Sequence, residues 1–292
     1  MIGAAYLFQG PGQSWMQKKS RVKNILSGIK IEDADKIEID APSGKNIFEK
    51  KDGKWKIVGT KDFYLAADKF QGFADGLKEG ITADFSVVSE NANKKKDFNV
   101  DDKGGVKVKI SQENKVLGEF VIGKMTSDYS GVYISKLSDA NTYSVKAVSL
   151  SSAFAGGDWY DKTIFSSDKD KIAKIRFQDS KKKSEFTVEK KDGKWVGIKP
   201  SFKVGDGKLD KALDVISNLS AMEIPEQKFD KTGLDKQPYI VQASGEGIDN
   251  TIMIGNDNGK GLFYAKRGNS DNIYLVAKSN IDDLKATMAS LK

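Results

Sequence analysis

The segment EKKDGKW stands at residues 49–55 of this chain and again at residues 189–195. Asp-Gly between two strand-like runs predicts a two-residue hairpin turn, because glycine accepts the positive φ that a type I′ turn requires. Trp55 and Trp195 then begin the returning strands. Identity over the whole segment, at positions far apart in the chain, predicts that one module containing this hairpin is present twice.

The similarity between the two copies extends beyond the hairpin. Upstream, residues 35–40 and 173–178 alternate apolar and polar side chains in the manner of half-buried strands. Downstream, an apolar stripe at helical spacing predicts one main helix per copy. The stripe consists of Leu65, Phe70, Phe73 and Leu77 in the first copy, and of Leu209, Ala212, Leu213, Ile216 and Leu219 in the second. We expect Asp206 to cap the second helix, and Gly72 and Gly76 to weaken the first.

Further strand-like segments complete each copy. Two of them end in Ile-Gly, at Ile122-Gly123 and Ile254-Gly255. Two pairs that follow carry tyrosines, Tyr133 with Tyr143 and Tyr264 with Tyr274. At the end of the second copy, an apolar stripe predicts a short closing helix with Ile281, Leu284, Met288 and Leu291 on one face.

This order of strand, hairpin, helix and antiparallel strands predicts an α+β fold. We expect two similar repeats, each a mostly antiparallel, twisted sheet with one main amphipathic helix and a short closing helix. The predicted organisation is an N-terminal segment at residues 1–30, the first copy at residues 31–165 and the second copy at residues 166–292.

The composition excludes several classes of chemistry. The chain contains neither cysteine nor histidine, so disulfides, thiolate nucleophiles, His-dependent acid/base catalysis and zinc sites of the usual ligand set are ruled out. The formal net charge is +7, and only Arg21, Arg176 and Arg267 are arginines among the 48 basic residues. Lysine lacks the planar fork that reads phosphates and base edges, so nucleic-acid binding is not expected. We expect the lysine runs at residues 94–96 and 181–183 to lie in exposed loops.

Residues 2–8 form an apolar stretch much shorter than the roughly 20 residues that cross a bilayer as a helix. Three interpretations remain open: the end of a membrane anchor whose earlier residues are missing, a sequence left by cloning, and an ordinary N-terminal segment. We favour the anchor, since Tyr6, Phe8 and Trp15 suit a membrane interface and the Gly-Pro-Gly at residues 10–12 would end the helix. Basic residues follow directly, and they usually mark the cytoplasmic side, so charge does not fix the orientation.

Two glycine-rich segments were candidates for ligand sites. Residues 255–261, GNDNGKG, lack the Lys-Ser/Thr ending of a phosphate loop and stand between two strands, which favours a hairpin turn. Residues 204–210, VGDGKLD, precede a helix, where backbone amides can hold an anion. A capped helix start explains the same pattern, and we prefer it.

Candidates for catalysis are sparse. The adjacent carboxylates Asp101-Asp102 and Asp282-Asp283 suit structural roles, the second pair beside the dipole at a helix start. Lys146 lies close in sequence to Ser149, Ser151 and Ser152, but without the Ser-x-x-Lys order of a nucleophile pair. The tryptophans are expected in the core. We assign no catalytic, cofactor-binding or metal-binding residue, expect no cofactor, and predict that the chain is not an enzyme.

Several of these motifs occur together and in a repeated order. They are the DGKW hairpin, the amphipathic helix, the Gly233-Leu234-Asp235 loop, the Ile-Gly strand end, the tyrosine strand and residues 158–165, DWYDKTIF. In this order they resemble the family called domain of unknown function 4340, over the chain from about Asp33 to its end. The first copy departs from the pattern, with Asn99-Val100-Asp101 in place of Gly-Leu-Asp.

The resemblance implies a bacterial cell-envelope protein with one N-terminal transmembrane helix and a large extracytoplasmic part, in some cases encoded beside ABC-type export components. It supplies no catalytic residues. We therefore expect a non-enzymatic, membrane-tethered binding or scaffold module of the periplasm or cell surface, an accessory to an ABC-type transport or envelope system, with a protein of that system as partner.

Two other hypotheses compete with this one. The basic surface would bind an anionic polymer or anionic lipid headgroups if its lysines cluster on one face. A carboxylate-dependent hydrolase ranks last. It predicts a cleft with two carboxylates, at least one of which has a raised pKa.

Overall fold

The computed structural model describes residues 22–113, 115–152, 158–236 and 238–292. The chain divides into two compact units, Met1–Tyr160 and Asp161–Lys292, close to the border predicted at residues 165–166. The predicted N-terminal anchor remnant at residues 2–8 lies outside the described residues. Among the described residues the strand pairs are antiparallel and the helices are few, which confirms the α+β class.

In its described part, the first unit contains one eight-stranded sheet. Its strands are β1 (Lys36–Ala41), β2 (Gly44–Lys51), β3 (Lys54–Ile57), β4 (Phe85–Ser89), β5 (Val106–Gln112), β6 (Lys115–Met125), β7 (Val132–Ser135) and β8 (Thr142–Val145). Their spatial order is β3-β2-β1-β5-β6-β7-β8-β4, so β3 and β4 are the edge strands. The helices are α1 (Ala67–Thr82), α2 (Val148–Ser152) and the 3₁₀ helices Ile31–Asp33 and Ala92–Phe98.

The second unit is built from a further set of strands. They are β9 (Thr163–Ser166), β10 (Ile172–Asp179), β11 (Ser184–Lys191), β12 (Lys194–Lys199), β13 (Ser201–Lys203), β14 (Asn218–Ser220), β15 (Tyr239–Gly245), β16 (Ile248–Asp257), β17 (Leu262–Arg267) and β18 (Tyr274–Ala277). One sheet has the order β13-β12-β11-β10-β15-β16-β17-β18, and β14 pairs with β9 in a separate two-stranded sheet. The helices are α3 (Asp210–Ser217), α4 (Lys278–Leu284), α5 (Met288–Leu291) and the 3₁₀ helix Lys169–Lys171.

Both DGKW segments form the predicted hairpins. Lys51 pairs with Lys54 and Lys191 pairs with Lys194, which leaves Asp-Gly as a two-residue loop in each case. In both loops the Asp has φ 50°, and the glycines have φ 77° and 78°, so both central residues are left-handed as a type I′ turn requires. The local turn chemistry read from the sequence is therefore confirmed.

Helix α1 is continuous through the glycines that weaken its propensity. A Cβ at Gly76 would lie 2.8 Å from the backbone of Leu150 in α2, and one at Gly80 would lie 2.7 Å from the Leu26 side chain. Because these glycines lack a side chain, α2 and Leu26 can both pack closely against α1. Of the predicted stripe, Phe73 and Leu77 are buried, whereas Leu65 precedes the helix.

The chain before β1 holds the C-terminal end of α1. The side-chain nitrogen Nδ2 of Asn24 lies 2.9 Å from the carbonyl oxygens of Gly80 and Ile81 and 3.2 Å from that of Ala83. Carbonyl groups in the last turn of a helix lack partners within the helix, and this side chain supplies one.

The start of α3 differs from the prediction. Asp206 is not its cap: the residue at the cap position is Leu209, and no side-chain cap is made there. Gly207 has φ 71° and turns the chain between Asp206 and the helix, so the carboxylate stands before the turn and not at the helix start. Leu219 is buried as predicted, but on β14, because the chain becomes extended at Asn218.

The predicted closing helix of the second unit is two short helices, α4 and α5. The capping box of Thr287 and Ser290 starts a new helix at Met288, which interrupts the expected single stripe. Ile281, Leu284 and Leu291 are buried, while Met288 is exposed.

One lysine of the predicted exposed runs is buried. Lys95 lies in the 3₁₀ helix Ala92–Phe98, and its ammonium donates a hydrogen bond to the carbonyl oxygen of Lys136 at 2.6 Å. Burial lowers the pKa of Lys95. Its neighbours Lys94 and Lys96 are exposed, as are Lys181, Lys182 and Lys183.

Candidate functional site

The edge strand β4 has the sequence FSVVS, which contains no charged residue and no proline. Ser86 is exposed, and the side chains of Val87 and Val88 are 39% and 40% exposed. Edge strands of soluble proteins are commonly protected by charges, proline or a covering element, because their free backbone groups can pair with another chain. In a chain with 30% charged residues, such an uncharged edge is a candidate interface.

Phe85 anchors β4 at its start. Its ring is buried and lies 6.0 Å from the ring of Tyr143 on β8. On its inner side β4 pairs with β8, from Phe85 opposite Val145 to Ser89 opposite Thr142, with a bulge after Val87. On its outer side no strand of the described residues is paired with it. The strand is thus held in place while one row of its backbone groups faces outward.

A polar cleft of about 770 Å³ lies beside this strand. We call it the β4 cleft, and define it by its charged groups and its strand residues: Glu79, Asp84, Asp128, Lys146, Ser86, Val88, Tyr133 and Ser144. Ser144 pairs with both Ser86 and Tyr133, so these three side chains form a row across three adjacent strands. Three carboxylates face one ammonium group here, although the whole chain is basic.

The hairpin between β6 and β7 forms one wall of the cleft. The carboxylate of Asp128 accepts hydrogen bonds from the hydroxyls of Thr126 and Ser130, at 2.6 and 2.7 Å. These bonds lower the pKa of Asp128 to about 2. The next residue, Tyr129, has φ 57° and is 75% exposed. The hairpin therefore presents an aromatic side chain to solvent beside a carboxylate that stays ionised.

A second groove crosses the face of the same sheet. Its charges neutralise one another, since Lys107 lies 3.0 Å from the carboxylates of both Asp40 and Asp102, and Lys45 lies 3.0 Å from Glu38. The hydrogen bond from Lys45 lowers the pKa of Glu38. A general acid at neutral pH needs a raised pKa, so Glu38 and Asp128 are both unsuited to that role.

The remaining candidates from the sequence have local partners. Asp282 forms an ion pair with Lys278, and Asp283 lies 4.0 Å from Lys211. Neither aspartate is in the first turn of α4, where they were expected to meet the helix dipole. The hydroxyl of Ser151 donates to the carbonyl oxygen of Val148 at 2.9 Å, and Lys146 lies at the β4 cleft.

Of the two glycine-rich segments, residues 255–261 join β16 to β17 as a hairpin, as predicted. Residues 204–207, 209 and 210 line an open cavity of about 350 Å³ together with Trp195. Trp195 is only half-buried, so its assignment to the core was wrong. The other described residues that line this cavity include three glycines and no aromatic residue, whereas Trp55 packs against Phe70 in the first unit.

Within the described ranges, no group of three or more acidic side chains is arranged to hold a metal ion. In the same ranges, none of the helices combines the length and the apolar character that crossing a bilayer requires.

Sequence reasoning did not identify the β4 edge. The signal was present, since residues 85–89 form an uncharged, β-branched run in a chain rich in lysine and carboxylates. The sequence alone does not show that β4 is an edge strand. That position depends on its pairing with β8, which is far away along the chain.

Comparison with known proteins supports the resemblance stated from the motifs. The family model described as Domain of unknown function (DUF4340) matches residues 55–237, which is more than half of the chain. No curated protein and no solved structure matches the chain. On the family match, this chain is a member of the family Domain of unknown function (DUF4340).

Proposed function

We propose that this chain is a non-enzymatic protein-binding module that engages its partner through β4 and the β4 cleft. The observation that carries the proposal is the uncharged outer edge of β4, on which Val87 and Val88 are both exposed. Exposed apolar side chains rimmed by polar residues are a mark of protein interaction surfaces.

The cellular setting of the proposal rests on family resemblance. We place the module outside the cytoplasm, in the periplasm or at the cell surface, tethered by an N-terminal membrane helix. Its partner would be a protein of an ABC-type transport system or of another envelope assembly, to which the module is an accessory. A binding module for another protein needs no cofactor and no catalytic group.

The proposed architecture is a pair of similar repeats. The loops that carry Asp101 and Asp235 support it, because Asn99 and Gly233 occupy the same left-handed position, with φ 56° and 72°. A Cβ at Gly123 would collide with the Phe98 carbonyl oxygen, and one at Gly255 would collide with that of Thr232. Asn tolerates the left-handed region, which accounts for the departure from Gly-Leu-Asp in the first copy.

Cross-linking in the native membrane tests the protein-binding proposal. A photoreactive amino acid replaces Val88 in the full-length protein, and the matched control places it at Val116, which is 46% exposed on β6. We expect one discrete partner to be captured at position 88 and not at position 116, and the same protein to copurify in stoichiometric amount. Equal capture at both positions, or recovery of free monomer alone, would count against the proposal.

A second candidate function is attachment to an anionic surface. The two DGKW hairpins concentrate exposed lysines, namely Lys50, Lys51 and Lys54 in the first and Lys190, Lys191 and Lys194 in the second. Such clusters attract anionic lipid headgroups at about 1 kcal/mol per residue near the surface. Binding to vesicles that contain phosphatidylserine should fall steeply as salt rises to physiological strength, and binding that ignores salt would exclude this function.

A further inference from the structure

We infer that the outer side of β4 accepts an extended segment of the partner protein as an additional antiparallel strand. This inference rests on the proposed function and specifies how the partner binds. It is carried by an arrangement in the second unit, where a segment of this chain itself occupies the corresponding position.

In the second unit, residues 218–223 lie between two strands. The N–H of Ala221 donates to the carbonyl oxygen of Lys162 beside β9, and the N–H of the next residue, Met222, donates to that of Leu275 on β18, each at 2.8 Å. Successive N–H groups along a strand point to opposite sides, so β9 lies on the side away from β18. Leu219 pairs with Phe165 in this added strand.

The first unit has the same segment with an open side. When the two units are aligned at Asp101 and Asp235, Phe85 corresponds to Leu219, and both residues are buried. In the same alignment Val88 corresponds to Met222, which is 56% exposed. β8 covers the inner side of β4 as β18 covers the inner side of the second segment. In the second unit β9 occupies the outer side of this segment. In the first unit no strand of the described residues occupies the corresponding place beside β4.

The described residues before β1 do not fill this position. Residues 24–29 form turns, with N–H bonds from Ser27 to Asn24 and from Ile29 to Leu26. They are held instead at the end of α1 by the Asn24 side chain. An antiparallel strand added to β4 would complete the backbone hydrogen bonds that an edge leaves unmade, which is a general mode of peptide recognition.

The surroundings define the chemistry of the occupant. In β9 the two central residues, Ile164 and Phe165, are buried, so the added strand supplies apolar side chains. At the outer edge of β4 the charged residue next to the occupant is Asp84, which is exposed and directly precedes the strand. Charge complementarity therefore assigns to this edge a short extended peptide segment with aromatic or β-branched residues and a flanking lysine or arginine.

A synthetic peptide tests this directly. The probe is residues 162–167 of this chain, KTIFSS, with blocked termini, added to the isotope-labelled full chain. Binding is measured by titration, and the site is located by amide hydrogen exchange. We expect exchange to slow at residues 85–89 and to remain unchanged at residues 106–112 of β5, which is an interior strand.

Two altered peptides separate backbone pairing from side-chain contact. A peptide with N-methyl groups on alternate residues keeps every side chain but removes three backbone donors, so its affinity should fall by at least about tenfold. A peptide with glutamate in place of its lysine should also bind more weakly, because it brings a second carboxylate toward Asp84 at the start of β4. A Val88→Lys chain should lose the probe, while Val116→Lys should keep it, with both variants melting like the parent chain.

Three results would overturn the inference. They are an absence of binding at about 1 mM peptide, equal binding of the N-methylated peptide, and protection at residues 218–220 in place of β4. If the cross-link at position 88 still captures a partner in that case, the proposed function stands and the strand addition alone fails.

Discussion

The indole ring of Trp55 lies 5.3 Å from the phenyl ring of Phe70, and this contact fixes the first DGKW hairpin against helix α1. Trp55 is only 7% exposed. Trp195, in the identical hairpin of the second unit, faces an open cavity. The same seven-residue segment thus places its tryptophan in the core of the first unit and at a partly open surface in the second.

Truncating the two tryptophans should therefore have unequal effects. Trp55→Ala removes a buried ring and its aromatic contact, and should cost about 3–5 kcal/mol of the free energy of unfolding. Trp195→Ala should cost less, about 1–2 kcal/mol, because its ring is only half-buried. Denaturant unfolding followed by circular dichroism measures both. Equal losses in the two variants would contradict the difference in burial.

The two Ile-Gly strand ends should tolerate no side chain. Gly123→Ala and Gly255→Ala each place a methyl group against a backbone carbonyl, and we expect about 1–3 kcal/mol of destabilisation in each case. Gly72→Ala is the matched control, because no atom lies within 4 Å of its Cβ position inside α1. That variant should gain roughly 0.5–1 kcal/mol from helix propensity. Thermal melts of the three variants check these signs, and a neutral Gly123→Ala would disprove the steric argument.

The hairpin of Asp128 should lose its order in acid. The pKa of Asp128 is lowered to about 2, from an ordinary value of 3.8, so its stabilising hydrogen bonds are fully present above the ordinary value. They are lost as the pH falls through about 2, when the carboxylate is protonated. Carbon-detected NMR of the Asp128 side chain measures this titration. Ser130→Ala should move the pKa back toward 3.8, whereas Ser127→Ala, which alters no hydrogen bond to Asp128, should leave it in place.

Lys95 should make stability depend on alkaline pH. Burial lowers its pKa in the folded protein, so the unfolded chain binds the proton more tightly. The cost of burying the charge is present at pH values below the folded pKa and fades as the pH rises toward the ordinary value. In denaturant unfolding, the stability of the parent chain should therefore rise relative to that of Lys95→Met as the pH approaches 10.5, the ordinary pKa of lysine. A constant difference between the two chains would show that Lys95 titrates as it does in water.

Local sequence patterns predicted the secondary-structure elements better than they predicted which elements pack against one another. The Asp-Gly turns, the stripe of Phe73 and Leu77 and the hairpin at residues 255–261 all depend on residues close in sequence, and each was predicted correctly. Asp206 failed as a cap because the left-handed turn at Gly207 separates it from the helix. The exposure of Trp195 and the edge position of β4 depend on which distant segments lie beside them, and periodicity holds no information about that.

The hold of Asn24 on the end of α1 also decides how the first unit would respond to a mechanical load. Tension from the chain before Val22 would reach the Asn24 side chain, whose nitrogen lies within 3.2 Å of three carbonyl oxygens, and the buried Leu26 before it reaches β1 at Lys36. The contacts of Asn24 depend on one side chain and are few. β1, in contrast, is hydrogen-bonded along its length to β2 on one side and to β5 on the other, so force on it is distributed over many bonds. Under a pull along the chain, residues 22–26 would detach from α1 first, and the sheet that carries the β4 edge would stay intact.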